Sequence, residues 1–128
     1  MSSTGILVID DDALNRELME AFLSLGDYTA WMASSGAQGI KMAAEHQPGL
    51  IILDVKLADM TGYEVCSGLK SRGATRHIPI LMISAFNESE VREQGEVAGA
   101  DGFLSRPFTI DQLLDCIKAM LSVSNDAD

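Results

Sequence analysis

Two short apolar runs that each close in aspartate constrain this chain more than any other feature. Ile6-Leu7-Val8-Ile9 leads into Asp10-Asp11-Asp12, and Leu50-Ile51-Ile52-Leu53 leads into Asp54. Short continuous apolar runs read as strands buried on both faces of a parallel sheet. A carboxylate where such a strand stops lies at the sheet edge, where open α/β folds hold their ligands. Two strand ends that deliver acids to one crevice set like charges side by side, which is costly unless a cation or a proton neutralises them. The economical reading is a hard divalent cation held by oxygens, next to a carboxylate that does chemistry.

The rest of the chain alternates strand and helix around these two runs. Leu7 to Asp10 reads as the first strand, and Asp11 or Asp12 can cap the helix that follows. Leu14, Leu18, Phe22 and Leu25 recur at helical spacing as an apolar stripe, and Gly26 ends that helix. Thr29 to Ala33 is a second strand. Ser35 opens a helix that runs to about His46 and stops before Pro48. Leu50 to Asp54 is the third strand, and after the loop from Ala58 a helix runs from about Gly62 to Ser71. Ile78 to Ser84 is the fourth strand, with Pro79 at its start where a missing N–H does least harm. A helix from about Ser89 to Ala98 precedes a fifth strand at Phe103-Leu104-Ser105. Thr109 with Gln112 forms a capping-box pattern for the last helix, whose apolar face is Leu113, Leu114, Ile117 and Leu121. Five strands alternating with five helices predict an α/β fold, a parallel sheet covered on both faces.

Composition narrows the function classes. A chain of 128 residues suits one domain, and 47% hydrophobic residues supply its core. Nineteen acids against nine bases give a net charge of -10, which argues against direct contact with nucleic acid or an anionic membrane. Cys66 and Cys116 lack metal-ligand spacing and read as free thiols of a reducing compartment, hence a cytoplasmic location. No apolar stretch approaches the ~18 residues of a membrane span, and no basic segment precedes the first run as in a signal peptide. His46 and His77 are lone, Trp31 reads as partly exposed packing, and no Gly-rich phosphate loop is present.

The acid pair Asp10-Asp11 after the first strand, Asp54 at the third, Ser84-Ala85 at the fourth and Arg106-Pro107 at the fifth stand in a fixed order. This ordered set resembles the receiver domain of two-component response regulators, the family of the chemotaxis regulator, over about Gly5 to Leu121. The resemblance implies a flavodoxin-like doubly wound (βα)5 sandwich with a five-stranded parallel sheet of order 2-1-3-4-5. It implies a single domain over 1–128, with a core at about 5–121 and a polar tail at 122–128. It also implies that Asp54 is the phosphoacceptor, taking a phosphoryl group from a sensor histidine kinase or a histidine phosphotransfer protein. Mg²⁺ would be held by Asp10, Asp11 and Asp54 with the backbone carbonyl of Lys56. Ser84 would bond a phosphoryl oxygen, Arg106 would stand at the family's conserved cation, and Ser84 with Phe103 would form the switch that alters binding of a downstream effector protein or domain. No enzymatic turnover is implied beyond phosphoryl transfer and slow self-dephosphorylation, and homodimerisation is left open. Blander roles compete at each position: helix capping for Asp10 and Asp11, a satisfied strand-end hydroxyl for Ser84, and a core phenylalanine for Phe103.

Several residues depart from the family pattern. Arg106 stands where lysine is usual. It keeps the charge and can grip phosphate bidentately, but it is longer and planar. The competing reading is therefore a pseudo-receiver, an interaction module that keeps the fold and works without phosphorylation. Ala58 replaces a common loop proline. Lys56 and Phe86 border the expected path of an attacking water and offer no group to orient it, which implies slow loss of the phosphoryl group. Lys56 also occupies the place where phosphohydrolases that pass through an aspartyl phosphate carry a second aspartate, which counts against that third reading. The Arg106–Pro107 peptide is expected to be cis, as is frequent in the family.

Overall fold

Each central strand is apolar at odd and even positions alike, so each must be covered on both sides. The computed structural model describes residues 4–85 and 88–126 and shows how this is done. The elements alternate as β1 (Gly5–Ile9), α1 (Ala13–Leu25), β2 (Thr29–Ala33), α2 (Gly36–His46), β3 (Leu50–Asp54), α3 (Gly62–Lys70), β4 (Ile80–Ser84), α4 (Glu88–Ala98), β5 (Gly102–Ser105) and α5 (Ile110–Asp126). The five strands are parallel and ordered β2-β1-β3-β4-β5, the order the resemblance implies.

The alternation of the pleat divides the core in two. Leu7 and Ile9, Ile51 and Leu53, Ile80 and Met82 point to one face and pack with Ala43, Val65, Cys66, Leu69 and Val91 from α2, α3 and α4. Ile6 and Val8, Leu50 and Ile52, Leu81 and Ile83 point to the other and pack with Met19, Leu23, Leu113 and Ile117 from α1 and α5. Because α1, which follows β1, and α3, which follows β3, lie on opposite faces, the chain leaves these neighbouring strands in two directions, and a crevice opens at the C-terminal ends of β1 and β3.

The structure refines the reading of α1. Of the stripe Leu14, Leu18, Phe22 and Leu25, only Phe22 packs against the core. Leu14, Leu18 and Leu25 are 62%, 46% and 68% exposed, whereas Met19 and Leu23 are buried. The apolar arc of this helix is wider than the side the sheet covers, and periodicity alone does not say which edge of a wide arc turns inward. The last helix, α5, runs to Asp126, into the polar stretch that begins at Ser122. Backbone hydrogen bonds extend a helix without requiring apolar side chains. The other boundaries differ by one or two residues: β1 begins at Gly5, and β4 at Ile80, just after Pro79.

The connection from β3 to α3 lies beside the crevice and is closely held. The Gly62 N–H donates to the Val55 carbonyl at 2.7 Å, and Lys56 and Thr61 form an antiparallel bridge. Thr61 and Glu64 make a reciprocal capping box at the start of α3. The Asp59 carboxylate accepts from the Gly36 and Ala37 N–H groups at 2.9 and 3.0 Å, tying this loop to the first turn of α2. Those two bonds hold the Asp59 carboxyl below its ordinary pKa. This clamp orders a loop that lacks the family's proline at Ala58.

At Gly62 a Cβ atom would fall inside the contact radius of the Asp54 carbonyl oxygen and close to the Val55 Cα, both of them backbone. Gly62→Ala should therefore lower the urea midpoint by the equivalent of roughly 1–3 kcal/mol, the usual cost of forcing an atom into filled space. A midpoint equal to the parent's would show that this loop gives way easily.

Candidate functional site

The C-terminal ends of four strands converge on one edge of the sheet. Register pairs Ile9 with Leu53, Asp54 with Ile83 and Ser84 with Ser105, so the residues next along are neighbours across the edge. Asp10 follows β1 and is buried at 3% exposure. Asp54 ends β3 and is half-buried, while Asp11 is exposed. Each of the three offers a carboxylate oxygen, and these oxygens all lie within 4.8 Å of one another. Asp12, by contrast, caps α1 by accepting from the Asn15 N–H at 3.1 Å. Capping by Asp12 leaves the carboxylates of Asp10 and Asp11 to the crevice.

Cationic and N–H groups surround this cluster. Arg106 enters from the end of β5, with Nη2 at 3.2 Å from Asp10 Oδ2 and Nη1 at 3.5 Å from Asp54 Oδ1. Its backbone N–H donates to the Ser84 carbonyl at 2.8 Å, and its peptide bond to Pro107 is cis, as expected. Asp10 Oδ1 accepts from the Asp12 N–H at 2.9 Å. Asp54 accepts from the backbone N–H of Lys56. Burial, and then the charge of Asp10, push the Asp54 carboxyl above its ordinary pKa, and Arg106 with the Lys56 N–H oppose that shift. Three hard oxygen donors converging in a crevice with one side open to water are a suitable donor set for Mg²⁺.

Ser84 is 4% exposed at the end of β4, one residue beyond the position paired with Asp54. Phe103 lies farther from the acids, in the middle of β5 beside Met82. Its ring packs on α4 where Gly95 leaves room for it, and the Arg92 guanidinium stands over the ring at 5.0 Å from the centroid. Phe86 lies outside the described residues. Cys66 is buried, donates to the Ala98 carbonyl at 3.5 Å, and has its thiol pushed up to about 11 by burial, which makes it a packing residue. His46 stacks on Trp31 with ring centroids 4.7 Å apart.

Two features of the site escape sequence reasoning. Arg16, on the first turns of α1, donates Nη1 to the Asp10 carbonyl at 2.8 Å and braces the acid from below. Its only sequence signal is a base six residues beyond an acid. The second feature is a hollow of about 300 Å³ beside Arg106, lined by Leu18, Phe22, Pro107 and Phe108 among others. Leu18, in its lining, is 46% exposed.

Comparison with known proteins agrees with this geometry. The family model described as the response regulator receiver domain matches residues 6–118. The response regulator MprA of Mycobacterium ulcerans is 38% identical over 119 residues, covering 93% of this chain and 50% of that protein. The chain thus spans about half the length of the curated relatives it matches. Among solved structures, a CheY-like response regulator receiver domain protein of Methanospirillum hungatei superposes with a TM-score of 0.92 at 24% identity, covering 99% of this chain and 100% of that one. The receiver domain of a sensor histidine kinase of Pseudomonas aeruginosa superposes with a TM-score of 0.87 at 23% identity, covering 94% of this chain and 98% of that one. That structure carries a magnesium ion coordinated in its active-site cleft.

The raised pKa of Asp54 has a consequence for stability. The folded chain holds the Asp54 proton to higher pH than the ordinary value of 3.8, so the contribution is full below pH 3.8 and is lost as pH rises through the raised value. Above that window the ionised carboxylate destabilises the fold. In metal-free buffer at neutral pH, Asp54→Asn should melt at a higher temperature than the parent, with the gap closing as pH falls below 3.8. A lower melting temperature at neutral pH would mean that pairing with Arg106 outweighs burial and the charge of Asp10.

Proposed function

This chain belongs to the response regulator receiver domain family, and we propose from that premise that it is a phosphoacceptor switch in which Asp54 takes a phosphoryl group from a phosphohistidine. The observation that carries this reading is the convergence of the Asp10, Asp11 and Asp54 carboxylate oxygens within 4.8 Å, with Arg106 reaching across to two of them. An Asp54 oxygen attacks phosphorus in line. The bond from phosphorus to the imidazole nitrogen breaks, and its electron pair stays with that nitrogen, which takes a proton. The product is an acyl phosphate. Arg106 and the Lys56 N–H hold Asp54 oriented and oppose the rise in its pKa, so that the nucleophile is available as the carboxylate. Mg²⁺, bound by Asp10, Asp11, Asp54 and the Lys56 carbonyl, would neutralise the acids and the charge of the transferring group.

The new dianionic group then needs donors. The Ser84 hydroxyl and the Arg106 guanidinium are the nearest candidates on neighbouring strand ends, and both are tied to the same backbone link from Arg106 N–H to Ser84 carbonyl. Movement of Ser84 toward the phosphoryl group would vacate space below it on β4 and let Phe103 and α4 resettle, changing the surface offered to an effector. The phosphodonor must reach Asp54 from outside. The exposed Leu14 and Leu18 and the hollow beside Arg106 form an apolar platform next to the crevice, suited to a helical donor that presents its histidine there. One observation favours the pseudo-receiver instead. Arg106 already bridges Asp10 and Asp54, so it offers the acids a resident cation.

Labelling separates the two. Incubation with radiolabelled acetyl phosphate and Mg²⁺ should give a hydroxylamine-labile label that is absent in Asp54→Asn and strongly reduced in Asp11→Ala. Mg²⁺ should also raise the melting temperature of the parent, through binding to the native state alone, and fail to do so in Asp11→Ala. Parent protein that takes no label under these conditions would be a pseudo-receiver.

The donor platform is tested separately. Leu14→Glu with Leu18→Glu should leave labelling by acetyl phosphate unchanged. Transfer from a phosphorylated histidine phosphotransfer protein should slow by roughly tenfold or more, the equivalent of about 1.4 kcal/mol of lost docking. Equal slowing with both donors would mean that the substitutions disturb Asp54 itself.

A further inference from the structure

On the face of the sheet away from α1 and α5, a groove of about 670 Å³ opens between α3 and α4. Its floor is made of small groups, chiefly Ser67, Gly68 and Ala98. Gly68 has no neighbour crowding the place a side chain would take, so the floor stays open to a visiting group. Tyr63 closes one end, and Val97 stands on the rim at 86% exposure, the most exposed of the large apolar side chains described. The walls are acidic: Glu64 on α3 and Glu93 on α4 line the groove, and burial, followed by the charge of Glu90, raises the Tyr63 phenol above its ordinary pKa. Neither Lys nor Arg is among the lining residues.

We propose that this groove is a docking site for a basic amphipathic segment of a protein partner. One apolar side chain of that segment would lie against Val97, Ala98 and Tyr63, with flanking lysines or arginines against Glu64 and Glu93. Charge complementarity selects this occupant. A chain of net charge -10 repels a second copy of itself, and an acidic groove repels nucleic acid and anionic lipid. The spacing also fits a helical visitor, because Glu93 and Val97 lie one turn apart on α4, as do Glu64 and Gly68 on α3.

The same helix couples the groove to the crevice. Gly95 presents the seat of the Phe103 ring and Arg92 covers that ring, while Glu93, Gln94 and Val97 face the groove. A shift of Phe103 therefore moves one wall of the groove. This coupling rests on the phosphoacceptor reading of Asp54, whereas the docking itself does not.

The test uses isotope-labelled protein titrated with a short amphipathic peptide of leucine and lysine, beside a leucine–glutamate peptide of the same length. Amide shifts should cluster on α3 and α4 and should weaken with added salt. Glu64→Gln with Glu93→Gln should lower affinity roughly tenfold while keeping the α3 capping box, since glutamine can replace glutamate there. Val97→Ser should lower it roughly threefold, in line with the loss of one exposed apolar contact. Unchanged affinity in the double variant, equal binding of the glutamate peptide, or shifts centred on another face would each overturn the proposal. Concentration-dependent self-association mapped to these amides would do so too, by making a second copy the occupant. Beryllium fluoride with Mg²⁺ should change the peptide affinity of the parent but not of Asp54→Asn. Docking that survives in Asp54→Asn while the parent takes no label would sink only the phosphoacceptor reading, and label without docking only this one.

Discussion

The strands β1, β3 and β4 are covered on both faces, and the placement of the site's polar groups follows from that constraint. A strand with no face open to water has only its ends on which to carry charge. Parallel pairing puts all the C-terminal ends at one edge, and the opposed packing of α1 and α3, which follow β1 and β3, opens the crevice there. Asp10, Asp54, Ser84 and Arg106 come from four different strands and meet without a long loop to carry any of them. Rigid support of this kind suits a site whose members must stay close together despite like charge.

Repulsion within the acid cluster is the second determinant. Two unit charges about 4 Å apart near a protein surface interact by roughly 4 kcal/mol before salt screening. The fold answers with a guanidinium shared between Asp10 and Asp54, with the backbone N–H groups of Asp12 and Lys56, and with an exposed Asp11 that water can reach. The cluster is therefore poised rather than satisfied. Asp54 keeps an elevated pKa, and any group that brings positive charge or accepts the carboxylate as a ligand is welcome there. Arginine in place of the usual lysine matters for this reason: its planar fork reaches two acids at once, where an ammonium acts as one compact charge.

Two helices join the edge to the surface: each has one side turned toward it and another turned outward. α1 carries Arg16 inward to the Asp10 carbonyl and Leu14 and Leu18 outward, so one helix both braces the acid and borders the approach to it. α4 accepts the Phe103 ring against Gly95 and turns Glu93 and Val97 the other way. Between them the β3–α3 connection is kept from moving by Gly62, by the Thr61–Glu64 box and by the Asp59 clamp on α2.

Much of this was legible in the residues alone. The apolar runs closing in Asp10 and Asp54, alternating with helical segments, announced a buried parallel sheet with acids at its edge, because strands apolar at every position need cover on both faces. The caps at Ser35 and Thr109 and the punctuation at Gly26 and Pro48 set the helices near their true places, because capping and backbone restriction act within a few residues. Tertiary structure decided what depends on partners distant in the chain. Which edge of the wide apolar arc on α1 turned inward, and so left Leu14 and Leu18 outside, was set by the sheet and α5 rather than by the helix. That Arg106 would span Asp10 and Asp54, ninety-six residues away in the first case, was set by strand order. That Asp59 would hold α2 instead of joining the acid cluster was set by the path of a loop. Local periodicity carries no information about such contacts, since each is fixed only when separate elements are packed together.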